Sequence, residues 1–142
     1  MEAFLLLADA ASADSGSNKV NLLGAGWSIT GPIVPSAAIS VFLRAPWDEV
    51  GKEIKFGLHL IDSSDHEVRP FVVNDRPLGF EGAFALPDAA ELDDMGKRVP
   101  LNIAFCIPLP PLPLQPGHTY RWVFEVSDRA LASVDFAVRS EN

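Results

Sequence analysis

The sequence has few of the residues that build covalently linked or metal-stabilised folds. Only one of its 142 residues is a cysteine, Cys106. A disulfide within the chain and a cysteine-rich zinc site are therefore both excluded. Cys106 falls in an alternating apolar run, where a buried, unreactive thiol is expected. The fold must depend on its core, and hydrophobic residues, at 48% of the chain, supply enough material for one.

Basic residues are also scarce. The chain has 11 Lys and Arg against 19 Asp and Glu, for a net charge of −8, and its only adjacent basic pair is Lys97-Arg98. Nucleic acid binding requires a basic surface that neutralises phosphates. Anionic membranes attract the same kind of surface. The composition therefore predicts partners that are neither nucleic acid nor membrane.

Long apolar runs are absent as well. No run approaches the roughly 20 residues of a transmembrane helix. The first residues, "MEAFLLLADAA", carry Glu2 where a signal peptide carries positive charge, and their apolar stretch ends at Asp9. We therefore expect the protein to stay in the cytoplasm of the producing cell.

The dominant pattern is an alternation of apolar and polar residues. In "EIKFGLHLID", one face carries Ile54, Phe56, Leu58 and Leu60, which is typical of a strand buried on one side. "DSGSN" at 14–18 predicts a hairpin turn, so we favour a strand over a short helix for the first run. The strand-like runs lie at 2–10, 19–30, 38–47, 53–62, 78–86, 100–108, 119–126 and 132–140.

Eight such runs separated by turn residues, with almost no helix, predict the fold class. We expect an all-β, single-domain antiparallel β-sandwich of about eight strands over residues 1–142, with immunoglobulin-like or Greek-key connections. A small barrel is the alternative.

A proline-rich stretch, "IPLPPLPLQPGHTY" at 107–120, contains two overlapping P-x-x-P spacings. It suits either a polyproline ligand or a stiff crossover between strands. Leaving Leu109, Leu112 and Leu114 in water would be unfavourable, so we predict a crossover whose leucines pack on the sandwich. Tyr120, at the start of the next strand, is expected to tie its hydroxyl back to the backbone, as such tyrosines do in immunoglobulin-like sandwiches.

The acidic turn "DSSDHE" provides a calcium hypothesis. Asp62, Asp65 and Glu67 lie close together in sequence, but Ca²⁺ takes six to eight oxygens. Further carboxylates would have to come from Asp93-Asp94 or Asp48-Glu49. The alternative is a solvated turn with carboxylate-to-backbone bonds, and no metal or other cofactor is the prediction.

Other candidate side chains are few. The histidines, at positions 59, 66 and 118, lie in separate segments and do not form a zinc motif. Trp47, in the turn "RAPWDEV", is a candidate partner-binding residue, because an exposed tryptophan at a strand end can anchor a partner. Its ring can equally cap the sandwich core, which we favour.

Three segments resemble a known group of sequences. The start, "LLADAA…KVNLLGAGW", the strand end "PWD" and the later "PLPPLPLQPGHTY" are similar to a family of small uncharacterised proteins from actinobacteria and their phages. The resemblance implies a β-sandwich. The family has no assigned function, so the resemblance implies no catalytic or binding residues.

The sequence contains no catalytic constellation, so we predict that the protein is not an enzyme. The leading hypothesis is a non-enzymatic protein-interaction or structural module, including a phage virion component for capsid decoration or the tail. Its partner would be another protein or a second copy of itself. The alternative is a sandwich that binds a small ligand or carbohydrate, with or without calcium.

Overall fold

The computed structural model describes residues 1–17, 19–47, 51–71, 76–86 and 93–141, and within them the fold is an all-β sandwich, as predicted. Gly96–Arg98 forms a 3-10 turn. The strands are β1 Glu2–Ala8, β2 Ala10–Ala13, β3 Val20–Leu23, β4 Ile29–Thr30, β5 Ala37–Ala45, β6 Glu53–Asp62, β7 Gly79–Ala85, β8 Leu101–Leu109, β9 Thr119–Val126 and β10 Arg129–Val138.

The strands form two main sheets and a separate hairpin. One sheet has three strands in the order β1-β5-β8, and the other has five in the order β4-β10-β9-β6-β7. Every pairing is antiparallel except that of the two-residue β4 with β10. The hairpin consists of β2 and β3. Immunoglobulin-like or Greek-key connection of these strands stays a prediction.

The core lies between the two sheets and is built by the predicted alternation. In β9, Tyr120, Trp122 and Phe124 are buried, whereas Arg121 between them is exposed. Four phenylalanines from both sheets form a cluster with ring centroids 5.0–6.2 Å apart. Aromatic contacts of this kind hold the two layers together. The cluster consists of Phe56, Phe84, Phe105 and Phe124.

The first run is a strand, and the helical alternative is wrong. β1 ends before Asp9, whose backbone N–H donates to the carbonyl of Leu23 at 2.9 Å, so the chain turns there into the hairpin. Gly24 has a φ of +61° and a Cβ at this position would collide with the Asp9 carboxyl group. Both features favour glycine.

The predicted "DSGSN" turn joins β2 to β3. The carboxylate of Asp14 accepts hydrogen bonds from the Gly16 N–H at 3.3 Å and the Ser17 hydroxyl at 2.6 Å. These bonds, chiefly the one from Ser17, lower the pKa of Asp14. The tip of the hairpin is therefore held by a charged acceptor.

The proline-rich stretch is a crossover, as predicted. Leu109, Leu112 and Leu114 are buried and belong to the main core, whereas the prolines at 110, 111 and 113 face solvent. Leu112 also pairs with Val34 in an isolated antiparallel bridge. The leucines therefore hold the crossover against the core. The crossover connects β8 of the three-stranded sheet to β9 of the five-stranded sheet.

Tyr120 makes the expected tie to the backbone. Its side chain is buried, and its hydroxyl accepts a hydrogen bond from the Gln115 N–H at 3.0 Å. The bond joins the end of the crossover to the start of β9. The Tyr120 side chain therefore fills part of the core and also fixes the chain that enters β9.

Replacing Leu112 or Leu114 with Ser should destabilise the fold. Each change removes a buried side chain and leaves a hydroxyl in its place, at a cost of about 2–5 kcal/mol, or about 6–15 °C in Tm. Thermal unfolding followed by circular dichroism measures this, with the exposed Gln115→Ala as the control. An unchanged Tm in the leucine variants would contradict the packed crossover.

Tyr120→Phe isolates the hydroxyl, because the ring remains in the core. Loss of the Gln115 partner should lower the free energy of unfolding by about 1–2 kcal/mol. Urea denaturation is the measurement, with the denaturant dependence expected to be unchanged. A stability equal to that of the wild type would show that the bond to Gln115 is replaced by water at no cost.

Candidate functional site

The outer face of the three-stranded sheet is apolar except for one polar row at its end, which is unusual for a surface. Val41 and Leu43 point into the core, so Phe42 between them points outward. The strand register arranges the outward side chains in rows across β1, β5 and β8. The four rows are Glu2–Arg44–Asn102, Phe4–Phe42–Ala104, Leu6–Ser40–Cys106 and Ala8–Ala38–Pro108.

The β2–β3 hairpin covers most of the last two of these rows, although Pro108 at the end of the fourth row stays exposed. Ala8, Ala38 and Ser40 are 0–2% exposed although they face away from the core. The half-buried residues of the hairpin strands are Ala11, Val20 and Leu22, and Ala11 lies opposite Leu22. The hairpin is thus a partial third layer on the sandwich. Beneath it the Ser40 hydroxyl is buried without a hydrogen-bond partner.

Of the two rows that the hairpin leaves open, the apolar one forms the floor of a groove, which we call the outer groove. The rings of Phe4 and Phe42 stack there, with centroids 4.8 Å apart and planes 13° apart. Ala104 continues the floor, and Lys19 and Val20 of the hairpin form one wall. The groove has a volume of about 650 Å³. Phe4 is 55% exposed, so the groove offers aromatic surface to solvent.

The rim of the outer groove carries more positive than negative charge. Its charged residues are Lys19, Arg44 and Glu2. Arg44 lies 3.6 Å from Glu2, but both side chains are more than 60% exposed, so the pair contributes little. The Lys19 ammonium group has no ion-pair partner among the described residues. This positive rim contrasts with the net charge of −8 for the chain.

The calcium candidates lie in the turn after β6. The carboxylate of Asp62 accepts hydrogen bonds from the N–H groups of Ser64 at 2.9 Å and His66 at 3.0 Å. Asp65 occupies the left-handed region with a φ of 62°, and Glu67 forms a bridge with Ile61. Asp62 thus stabilises its own turn.

The calcium hypothesis also requires carboxylates from either of two other segments of the chain. Asp93 accepts a hydrogen bond from the Gly96 N–H at 2.7 Å in its own loop. Asp48 and Glu49 lie outside the described residues. Within the described ranges, no group of three or more His, Cys, Asp or Glu residues could hold a metal ion.

Trp47 is half-buried at the end of β5. Its indole N–H donates a hydrogen bond to the carbonyl of Val99 at 2.7 Å. The ring thereby ties the end of β5 to the segment that enters β8. This contact gives Trp47 a structural role in the fold, and both its capping of the core and its binding of a partner stay predictions.

The sequence reasoning missed the outer groove. One signal was present: residues 3–8, "AFLLLA", are apolar without alternation, as expected for a strand covered on both faces. Phe42 was a second signal, because it falls on the face of its strand opposite Val41 and Leu43. Neither signal shows that the β2–β3 hairpin covers only part of the outer face of the three-stranded sheet.

No helix in the described part of the chain is long and apolar enough to cross a membrane.

The pKa of Asp62 tests its role in the turn. The hydrogen bond from the His66 N–H is the main cause that lowers this pKa below 3.8. The carboxylate form is therefore favoured in the folded state, and its contribution to stability is present above pH 3.8 and lost as pH falls through the lowered pKa. NMR titration of the side-chain carboxyl carbon should place its midpoint below 3.8.

Asp62→Asn is the matched control for this titration, since its side-chain oxygen still accepts both bonds but does not ionise. Its stability should depend less on pH below 4 than that of the wild type. A midpoint for Asp62 at or above 3.8 would contradict the assignment.

Comparison with protein families gave one match. A family model described as "Family of unknown function (DUF6941)" matches residues 3–139. No curated protein and no solved structure matches the chain. The match agrees with the resemblance to an uncharacterised family.

Proposed function

The chain belongs to a family of unknown function, and from the outer groove we propose that it is a non-enzymatic binding module whose ligand is a segment of another protein. The proposal places the ligand on the floor formed by Phe4, Phe42 and Ala104. It assigns the two sheets the role of a rigid support and the hairpin the role of a side wall.

The observation that carries this proposal is the stacked and exposed Phe4–Phe42 pair. Two neighbouring aromatic rings on a strand face would normally be buried or replaced by polar residues, because exposed apolar area is unfavourable. Contiguous apolar patches with a polar rim mark binding surfaces. Here the polar rim consists of Arg44, Glu2 and Lys19.

An open groove suits an extended peptide better than a small molecule. Sites for small ligands enclose most of the ligand surface, whereas Phe4 on the groove floor is 55% exposed. The volume of about 650 Å³ nevertheless lies within the range of small-ligand sites. This volume is the observation that favours the second candidate, a small-ligand-binding sandwich.

From the resemblance to phage and actinobacterial proteins we also propose where the module works, for example in a phage virion, where its partner is a structural protein. Capsid or tail genes beside this gene would support that setting, and their absence in several genomes would count against it.

Selection from a random peptide library with the immobilised protein tests the proposed function. Peptides that bind through the outer groove should lose at least about ten-fold in affinity when Phe4 is replaced by Ser, because an aromatic contact at the centre of the site is removed. Isothermal titration calorimetry on selected peptides provides the affinities. The stability of Phe4→Ser should change little, since the ring is more than half exposed.

Ile33→Ser is the matched control, because Ile33 is also an exposed apolar residue, 88% accessible, but lies outside the groove. Its affinity for the same peptides should equal that of the wild type. If selected peptides bind Phe4→Ser and the wild type equally, or if no peptide is enriched, the proposed function is wrong.

A further inference from the structure

We propose that the outer groove selects an extended segment in which a large apolar side chain lies two residues from a carboxylate. This inference rests on the proposed function and names the chemistry of the partner. The apolar side chain lies on Phe4 and Phe42, and the carboxylate lies at the cationic rim.

The spacing follows from the geometry of β5. Phe42 and Arg44 lie on the same face of one strand, and residues two apart on a strand are separated by about 6.6–6.8 Å. An extended peptide has the same repeat. A segment that runs along β5 with its apolar side chain over Phe42 therefore brings its i+2 side chain to Arg44.

The second cation of the groove comes from the hairpin. Lys19 belongs to the hairpin wall, whereas Arg44 belongs to the polar row beyond Phe42. The apolar floor is thus bounded by one cation on the hairpin and another on the sheet. Carboxylates on either side of the apolar side chain would face positive charge, whereas basic residues at the same places would be repelled.

The existing ion pair does not prevent this recognition. Glu2 and Arg44 are highly exposed at a separation of 3.6 Å, and exposed pairs of this kind are weak. A ligand carboxylate can share or displace Glu2, and Lys19 requires no displacement because it has no ion-pair partner among the described residues. At physiological ionic strength, charges beyond about 8 Å are screened, so these local cations outweigh the acidity of the rest of the surface.

Three synthetic peptides test the inference. The first is acetyl-Ser-Asp-Ser-Phe-Ser-Asp-Ser-amide, which has both carboxylates two residues from the ring. The second peptide replaces each Asp with Asn, which removes the charge and keeps the shape of the side chain. The third, acetyl-Ser-Ser-Asp-Phe-Asp-Ser-Ser-amide, keeps the charge but moves both carboxylates to the opposite face of an extended chain. Binding is measured by amide chemical-shift titration of the labelled protein.

The first peptide should shift the amides of Phe4, Phe42 and Lys19 and bind about five-fold more tightly than the other two. Arg44→Gln and Lys19→Gln should each reduce this preference. Lys55→Gln, which changes an exposed lysine on the five-stranded sheet, should leave it unchanged. The preference should also fall as the salt concentration rises.

Two outcomes overturn the inference without affecting the proposed function. One is equal binding of the Asp and Asn peptides in the groove, which would show that the cations do not take part. The other is equal binding of the first and third peptides, which would show that spacing is not recognised. Binding of the first peptide away from Phe4 and Phe42, or no binding of it at all, overturns the inference as well.

Octanoate separates a peptide site from a small-carboxylate site. If octanoate shifts the same amides and binds more tightly than the first peptide, the inference is wrong and the second candidate function is favoured. If neither octanoate nor any peptide binds in the groove, and the peptide selection enriches nothing, the proposed function falls together with the inference.

Discussion

The structure depends on one constraint: the three-stranded sheet is apolar on its inner face and over most of its outer face. Its inner face meets the five-stranded sheet and forms the core. Its outer face also requires cover, which the β2–β3 hairpin supplies. Because the hairpin strands have four residues each and β5 has nine, the cover ends before the sheet does. The outer groove is the uncovered remainder.

The proline-rich crossover between the sheets supports the inner face of the three-stranded sheet. Leucines of the proline-rich crossover are buried in the same core as Leu7 and Val41, whose strands carry the groove floor. Tyr120 fixes the end of that crossover through the Gln115 N–H. The floor is therefore set on strands whose inner faces are packed, and a ligand would meet a surface that is already organised. Preorganisation of this kind lowers the entropic cost of binding.

Much of the fold could be predicted from the sequence because alternation reports burial directly. In β6 and β9 the apolar residues face a complete layer, so Leu58 and Trp122 were placed correctly. In β1 and β5 the pattern is ambiguous, because the burial of Ala38 and Ser40 depends on where the hairpin lies. That position is a tertiary property, which local periodicity does not contain. The groove arises from the same tertiary packing and was therefore missed.

The candidate residues drawn from the sequence show the converse difficulty. Asp62 and Trp47 were chosen because their residue types can bind ligands, yet each makes a contact within the fold: Asp62 with the His66 N–H and Trp47 with the Val99 carbonyl. Residue type alone does not distinguish a side chain that holds its own loop from one that awaits a partner. Hydrogen-bond partners make that distinction, and they require three-dimensional structure.

The hairpin lies on the outside of the sandwich, and this position affects how readily its sequence can change during evolution. The Lys19 side chain at its tip is exposed, so substitutions there leave the core packing intact. Loop tips of this kind tolerate substitution and insertion far better than core strands do. If the outer groove binds a protein segment as proposed, related sequences can change its specificity by exchanging a few residues around position 19 while keeping the same stable scaffold.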